Sequence, residues 1–147
     1  MEETKEKTAS NISEAEWEVM RIVWTLGSVR TGEVLKQLQA KKDWSESTIK
    51  TLMRRLVNKG LLKTKKDGRY FIYSATVTEM EMMVAVTTEM MDHMCDMHKG
   101  QMLLAILKTV TLSKNDIGQL TEELAQKEKT APETVDCNCL PASGHSC

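Results

Sequence analysis

The chain has 147 residues, a length that suits one compact domain or a small domain joined to an oligomerisation segment. Its net charge of −1 conceals a basic block from Arg30 to Tyr73, where twelve Lys or Arg residues stand against four Asp or Glu residues; this is typical of a surface that binds phosphates. The sequence has no apolar run of about 18 residues and no apolar leader segment, so it predicts a cytoplasmic protein without a membrane span or a secretory signal.

The first predicted element is a helix that begins near Ser13. Residues 1–11 are charged and aperiodic, which predicts a disordered arm. Ser13 and Glu16 have the spacing of a capping box, with Ser13 at the N-cap position. Trp17 opens an apolar pattern with helical spacing, and we expect the helix to end at Gly27.

Two more helices are predicted next. Val29 and Arg30 can form a very short strand, and Thr31 is placed to cap the second helix. The third helix is predicted to run from its cap at Ser45 to Lys59. Its apolar residues repeat at helical spacing and form one stripe, made of Ile49, Leu52, Met53, Leu56 and Val57.

A basic hairpin follows the third helix. Residues 61–65 and 70–75 are predicted strands, and Asp67-Gly68 between them is a hairpin-turn dipeptide. Three helices and a hairpin predict a mainly α fold with a small β-hairpin, a winged helix-turn-helix that spans residues 12–76. A basic helix alone also occurs on ordinary surfaces, but the hairpin favours a helix that enters the major groove of DNA. The predicted DNA-binding residues are Ser45, Ser47, Thr48, Lys50, Thr51, Arg54, Arg55, Lys65, Lys66 and Arg69.

A long helix with a methionine-rich face is predicted from Thr78 to about Lys99, where Gly100 breaks it. Thioether, imidazole and thiol groups on this helix can bind Cu(I). Methionine also fills irregular gaps at interfaces, and we favour that interpretation here. The residues of this second metal candidate are Met90, His93, Met94, Cys95, Met97 and His98.

The remaining helices predict a homodimer. One apolar helix is expected within residues 103–110, and Ser113 caps a last helix with Asp116 at its N3 position. These apolar faces are too large for a self-contained tail, and helix-turn-helix proteins bind inverted repeats as two-fold dimers. We therefore predict a helical dimerisation region over residues 77–129 and a flexible tail over residues 130–147.

The tail contains Cys137-Asn138-Cys139 and His145-Ser146-Cys147. Soft thiolates select Cu(I) and Zn(II), and three cysteines with one histidine are a common tetrahedral zinc set. A reducing compartment favours metal or redox chemistry over structural disulfides. The predicted metal ligands are therefore Cys137, Cys139, His145 and Cys147, and the alternative is a frayed tail with incidental cysteines.

Three segments, residues 13–20, 48–62 and 68–73, resemble the BlaI/MecI/CopY repressors, and the resemblance extends over about residues 12–125. It implies a winged helix with a C-terminal helical dimerisation region. The penicillinase branch of that family is switched by proteolytic cleavage. The CopY branch ends in Cys-x-Cys-x4-Cys-x-Cys and represses copper-export operons, with zinc in the repressing form and Cu(I) in the released form. The tail is similar but has one more spacer residue, and His145 replaces a cysteine, so we expect it to bridge copper less readily.

Three functions are open at this point. The first is a copper-responsive repressor that binds an inverted-repeat operator in double-stranded DNA as a homodimer, with a copper chaperone that delivers Cu(I) as a candidate partner. The second is a repressor inactivated by proteolysis, in which the tail has no regulatory role. The third is a metal-buffering or chaperone protein, for which the basic domain is incidental. An enzyme is not expected, because the only dense nucleophile cluster lies in the tail without an organised base or pocket.

Overall fold

The computed structural model describes residues 11–142 and 147. They form two compact units, one that ends at Glu89 and one that spans Met90–Cys147, and each is described by itself. The elements, in chain order, are α1 (Glu14–Leu26), β1 (Val29–Arg30), α2 (Thr31–Lys41), α3 (Glu46–Asn58), β2 (Leu62–Asp67), β3 (Tyr70–Ala75), α4 (Glu79–Asp92), a 3₁₀ helix (Asp96–His98), α5 (Lys99–Leu107) and α6 (Lys114–Glu128).

Helix α1 begins as predicted at Ser13, whose Oγ accepts a hydrogen bond from the Glu16 amide at 3.1 Å. The predicted capping box is only half formed. The Glu16 carboxylate accepts two hydrogen bonds from the Lys59 ammonium group at 2.9 and 2.7 Å, because a buried carboxylate is stabilised more by a cation than by one amide. The helix ends at Gly27, as predicted.

Thr31 was expected to cap the second helix, and this is wrong. Thr31 is the first residue of α2, and Arg30 occupies the N-cap position. Arg30 pairs with Ile72 in β3, so its backbone is already extended, which is the conformation that an N-cap needs.

Helix α3 has the predicted limits. Ser45 Oγ accepts from the Thr48 amide at 3.2 Å. At the other end, Leu61 N–H donates to Leu56 O and Gly60 N–H donates to Val57 O, both at 3.0 Å. These two bonds form a Schellman motif, which requires a left-handed residue, and Gly60 supplies it with a φ of +77°.

The sheet has the strand order β1-β3-β2 and is antiparallel throughout. The predicted turn is shifted by one residue, because Asp67 is still paired with Tyr70 in the ladder. The two turn residues are therefore Gly68 and Arg69, and of this described pair only Gly68 has a positive φ, +61°. A glycine at the first central position is the pattern of a type II′ turn, and it places Arg69 at the tip of the hairpin.

The core of the first unit joins all its helices to the sheet. Met20 from α1, Leu38 from α2, Ile49 and Leu56 from α3 and Leu62 from β2 are almost completely buried in it. The Trp24 indole N–H donates to Val77 O at 2.9 Å, which ties α1 to the chain that follows the hairpin. Three helices and a hairpin wing around one core confirm the predicted winged helix-turn-helix.

The single helix predicted from Thr78 to Lys99 is wrong. Helix α4 ends at Asp92, and Cys95 has an extended backbone before the 3₁₀ helix. The amide of Asp96 donates to Asn138 Oδ1 at 2.9 Å, so it does not continue the helical ladder. Gly100, the predicted break, lies within α5, where a glycine costs only about 1 kcal/mol relative to alanine.

Helix α6 begins with a complete capping box. Ser113 N–H donates to Asp116 Oδ2 at 2.9 Å, and Asp116 N–H donates to Ser113 Oγ at 3.0 Å, as its sequence predicted. The hydrogen bond from the Ser113 backbone lowers the pKa of Asp116. Across residues 11–142 and 147, every helix is too short or too polar to cross a membrane.

Candidate nucleic-acid interface and metal centre

The outer face of α3 is polar because its apolar stripe is turned into the core. Ile49, Leu52, Met53 and Leu56 are buried, whereas Ser47, Lys50, Arg54 and Arg55 are exposed. Thr51 is half-buried, and its Oγ1 donates to the Ser47 carbonyl at 2.8 Å. This arrangement leaves a basic strip on the solvent side of a rigidly packed helix.

Hydroxyl groups cluster at the N-terminus of α3. The Ser45 hydroxyl lies 3.0 Å from that of Ser47 and 2.9 Å from that of Thr48. All three residues are exposed. Hydroxyls and unpaired amides at a helix N-terminus are suited to phosphate oxygens, so these residues can contact a DNA backbone.

An acidic residue shares this surface. Lys50 Nζ lies 2.6 Å from Glu46 Oε1, one helical turn away, and both side chains are more than half exposed. The sequence prediction did not use Glu46. Its carboxylate would compete with a bound phosphate for the Lys50 ammonium group.

The wing carries basic groups on both faces. Lys65 is opposite Ile72 and Lys66 is opposite Phe71, so these neighbouring lysines point to opposite sides of the hairpin. Both lysines and Arg69 are exposed. The wing can therefore place cations on either side of its own plane and at its tip.

Arg30 and Tyr70 are potential interface residues that sequence reasoning missed. The Arg30 guanidinium carbon lies 4.4 Å from the centroid of the Tyr70 ring, a cation–π contact beside the wing tip. The Tyr70 side chain is 55% exposed and Phe71 is 52% exposed. The sequence feature that could have identified this surface is the pair of consecutive aromatic residues, Tyr70 and Phe71, in a basic hairpin.

Four cysteine sulfur atoms converge in a candidate metal centre, and three of these cysteines, Cys137, Cys139 and Cys147, were predicted as metal ligands. The sulfur atoms of Cys95, Cys137, Cys139 and Cys147 all lie within 4.8 Å of one another. Cys95 had been grouped only with the methionine-rich face of a continuous helix. His145 lies outside the described residues.

Cys147 lies at the centre of the sulfur contacts. Its Sγ is 3.0 Å from that of Cys95, 3.3 Å from that of Cys137 and 3.8 Å from that of Cys139. Four sulfurs around one zinc ion at about 2.3 Å define a tetrahedron with edges of about 3.8 Å. Only the Cys139 distance equals this edge, and the other two are about 0.5–0.8 Å shorter, so the soft donor set would hold a single tetrahedral ion once its sulfurs move slightly apart.

Asn138 holds the tail segment beside Cys95. Its Oδ1 accepts from the Asp96 amide, and the Cys139 amide donates to Cys137 Sγ at 3.4 Å. Cys137 is buried, whereas Cys139 and Cys147 are exposed. The two cysteines that flank Asn138 are thereby directed toward the 3₁₀ helix.

Hydrogen bonds among the neighbouring thiols shift their pKa values in different directions. The hydrogen bond from Cys147 lowers the pKa of Cys95 to about 6. The same bond raises the pKa of Cys147 above its ordinary value, and a hydrogen bond with Cys137 raises the pKa of Cys139. Near neutral pH, Cys95 is therefore a thiolate that accepts from protonated neighbours.

Comparison with known proteins identifies the family. The sequence profile described as "Penicillinase repressor" matches residues 12–126. A protein of Latilactobacillus sakei, described as an uncharacterized 16.5 kDa protein in the ptsI 3′ region, is 52% identical over 135 residues, which are 92% of each chain.

Two further similarities concern Bacillus licheniformis. Its penicillinase repressor is 32% identical over 127 residues, which are 86% of this chain and 99% of that protein. A solution structure of monomeric BlaI from this organism, in complex with the blaP half-operator, has 43% identity and a TM-score of 0.44; the match covers 47% of this chain and 84% of that one.

Proposed function

The chain belongs to the penicillinase repressor family of transcriptional repressors, and from that premise we propose that it is a copper-responsive repressor. In this proposal a homodimer binds an inverted-repeat operator of copper-export genes. The zinc-loaded protein stays on the DNA, and Cu(I) at the cysteine centre releases it. The convergence of four sulfur atoms carries the proposal.

The donor set supports soft metals. Thiolates select Cu(I) and Zn(II) over the hard cations. The sequence suggested only three thiolates, which would bridge copper poorly. Cys95 restores a fourth sulfur, so the centre has the same number of thiolates as the tail of the CopY branch. A bound ion would link the tail to the segment before α5, and thus to the helical region in which we place the dimer contacts.

DNA contacts are assigned to α3 and the wing. The hydroxyl cluster at the α3 N-terminus would bind phosphate, and Lys50, Arg54 and Arg55 would reach into or beside the major groove. Lys65, Lys66 and Arg69 would bind the flanking backbone. The ten residues predicted from sequence all remain proposed contacts.

The dimer is assigned to exposed apolar residues of α5 and α6. In the single chain Leu104 of α5 is 58% exposed, and Ile117 and Leu124 of α6 are 51% and 59% exposed. Apolar faces of this kind on two successive helices are typical of an interface with another subunit. A symmetric pair would present two copies of α3 to the half-sites of an inverted repeat.

The test is metal-dependent release from promoter DNA. The zinc-loaded protein is bound to a labelled inverted-repeat fragment, and Cu(I) is added in a buffered, anaerobic titration. We expect wild-type protein to lose DNA affinity by about 5- to 150-fold, the usual range of allosteric coupling. The Cys95→Ser and Cys137→Ser variants should stay bound, and Thr130→Ser, at an exposed position outside the sulfur cluster, should respond as wild type.

The other candidate functions give different outcomes. Release by Cu(I) after deletion of residues 131–147 would overturn the role of the tail. Release only after proteolysis would favour the penicillinase-type switch. Absence of a protected site in footprinting at moderate salt would favour a metal buffer. A copper chaperone is the proposed source of Cu(I), and it is tested by replacing the buffered copper with a copper-loaded chaperone.

A further inference from the structure

His98 lies at the edge of the sulfur cluster. It ends the 3₁₀ helix that starts after Cys95, so the two residues are separated by three positions. A 3₁₀ helix has three residues per turn, which places side chains at positions i and i+3 on the same side. The His98 Nε2 atom lies 3.4 Å from Cys147 Sγ and 3.1 Å from the Cys147 main-chain oxygen.

These distances suit a ligand. A tetrahedral zinc ion with a nitrogen ligand at about 2.0 Å and a sulfur ligand at about 2.3 Å has a nitrogen–sulfur edge of about 3.5 Å. The separation of His98 Nε2 from Cys147 Sγ nearly equals that edge. Cys95 and His98 also form a Cys-x2-His pair, which can direct two donors at one ion from a short turn. His98 lies beside the four mutually close sulfurs, against Cys147, and is a fifth candidate donor, one more than a four-coordinate ion uses.

Charge favours the imidazole for a divalent ion. Four thiolates around Zn(II) leave a net charge of −2, whereas three thiolates and a neutral imidazole leave −1. Asp136 precedes Cys137 and Asp96 follows Cys95, and these acids add negative charge nearby. Lys99 Nζ lies 2.5 Å from Asp96 Oδ1, and its positive charge neutralises only that carboxylate.

Among the four thiols, Cys139 is the one most readily exchanged. Before a metal binds, its sulfur makes the longest of the three contacts with Cys147 Sγ, at 3.8 Å, whereas the sulfurs of Cys95 and Cys137 lie at 3.0 and 3.3 Å. It is also exposed, whereas Cys137 is buried.

We propose that His98 is a metal ligand of this centre and that it binds Zn(II) together with Cys95, Cys137 and Cys147, while Cys139 joins the thiolates only when Cu(I) is bound. This inference rests on the proposed function and specifies how one centre distinguishes its two metals. Imidazole is a good ligand for zinc, and an additional thiolate suits the softer Cu(I). The exchange between His98 and Cys139 would change how the tail is held against the 3₁₀ helix.

The test uses Co(II) as a spectroscopic probe of the zinc site in the full chain. We expect the wild-type spectrum to show the charge-transfer intensity of three cobalt–thiolate bonds. In His98→Ala, Cys139 should take the open position, so that the intensity rises by about one third and the d–d bands move to lower energy. In Cys139→Ser, the Co(II) spectrum and Zn(II) affinity should stay as in wild type, while Cu(I) affinity in a chelator competition falls by at least about tenfold.

Two histidine variants are the controls. His93→Ala changes an exposed histidine on the same segment and should leave the Co(II) spectrum unchanged. His145→Ala tests the imidazole predicted from sequence. If His145→Ala rather than His98→Ala raised the thiolate intensity, or if wild-type protein already showed four cobalt–thiolate bonds, the role of His98 would be overturned.

The outcomes separate this inference from the proposed function. Copper-dependent release of DNA by a protein with a four-thiolate Co(II) spectrum would remove His98 as a ligand and leave the repressor proposal intact. Failure of the full chain to bind Co(II), Zn(II) or Cu(I) would overturn both. Circular dichroism of each variant checks that its helices are retained, so that a lost spectrum reports the ligand.

Discussion

Lys59 donates hydrogen bonds to both carboxylate oxygens of Glu16, at 2.9 and 2.7 Å, and joins the C-terminal end of α3 to the first turn of α1. Glu16 is only 3% exposed, although it is charged. Lys59 also donates to the Asn11 carbonyl at 2.6 Å. The orientation of α3 therefore depends on an ion pair at the end remote from its hydroxyl cluster.

Replacing Lys59 with methionine should destabilise the protein by about 3–5 kcal/mol, because it leaves the Glu16 carboxylate buried without a cation. The free energy of unfolding in urea measures this loss. Lys36→Met, at an exposed position of α2, should change it by less than about 0.5 kcal/mol. The double variant Glu16→Met/Lys59→Met should recover most of the loss; a double variant as unstable as Lys59→Met would argue against the ion pair as the cause.

Arg54→Ala and Lys66→Ala test α3 and the wing as contact surfaces. Each should weaken binding to the operator and, if the side chain contacts a phosphate, reduce the slope of log K against log salt by about one. Fluorescence anisotropy at several salt concentrations measures both quantities, with Lys36→Ala as the control. Unchanged affinity and slope in both variants would remove these side chains from the interface.

Glu46→Gln should strengthen DNA binding. The change removes a negative charge from the α3 surface and frees Lys50, at the loss of an exposed ion pair that contributes less than about 1 kcal/mol to stability. A unit charge about 8 Å from a phosphate in water is worth about 0.5 kcal/mol, so we expect about a twofold increase in affinity at low salt. Glu122→Gln in α6 is the matched control, and weaker binding by Glu46→Gln would show that the carboxylate organises the interface.

Leu120→Asp should dissociate the proposed dimer. Leu120 lies in α6 with its side chain 42% exposed in the single chain, and a carboxylate buried in an apolar interface costs a few kcal/mol. We expect the dimer dissociation constant to rise by about a hundredfold in sedimentation equilibrium. Gln119→Asp, on the adjacent position of the same helix, should remain dimeric. A dimeric Leu120→Asp variant would place the subunit contact elsewhere.

Metal affinity should increase with pH. The pKa values of Cys139 and Cys147 are raised, so each retains its proton at neutral pH and must release it to become a thiolate ligand. Because protons compete with the ion below a raised pKa, affinity should fall by up to about tenfold per pH unit for each proton displaced. Cys95, with a pKa of about 6, should add to this dependence only below about pH 6.

A Cu(I) titration with a competing chelator, corrected for the protonation of the chelator, measures this dependence between pH 6 and 8. Calorimetry in buffers of different ionisation enthalpy counts the protons released. In Cys139→Ser, Cu(I) binding should release fewer protons than in wild type. An affinity that did not change with pH would mean that the thiols are already ionised in the metal-free protein.

The sequence by itself determined the features that depend on neighbouring residues. Ser45 and Ser113 were identified as caps because a cap bonds an amide only two or three positions away. The stripe of α3 was identified because helical periodicity decides which residues can share a face. Gly60 and the hairpin were located by the same local constraints, so the winged helix was predicted nearly in full.

Only the tertiary structure decided which distant groups meet. Glu16 was assigned to a local cap, but burial made a cation 43 residues away the better partner. Helix α4 was expected to continue through Cys95, but the Asp96 amide bonds to Asn138, 42 residues away. The same contact brings Cys95 to the tail cysteines, and a ligand set assembled across such a distance leaves no periodic or spacing signal. Helix α3 was therefore predictable from local sequence, whereas the cluster of four cysteines formed only where the chain folds back on itself.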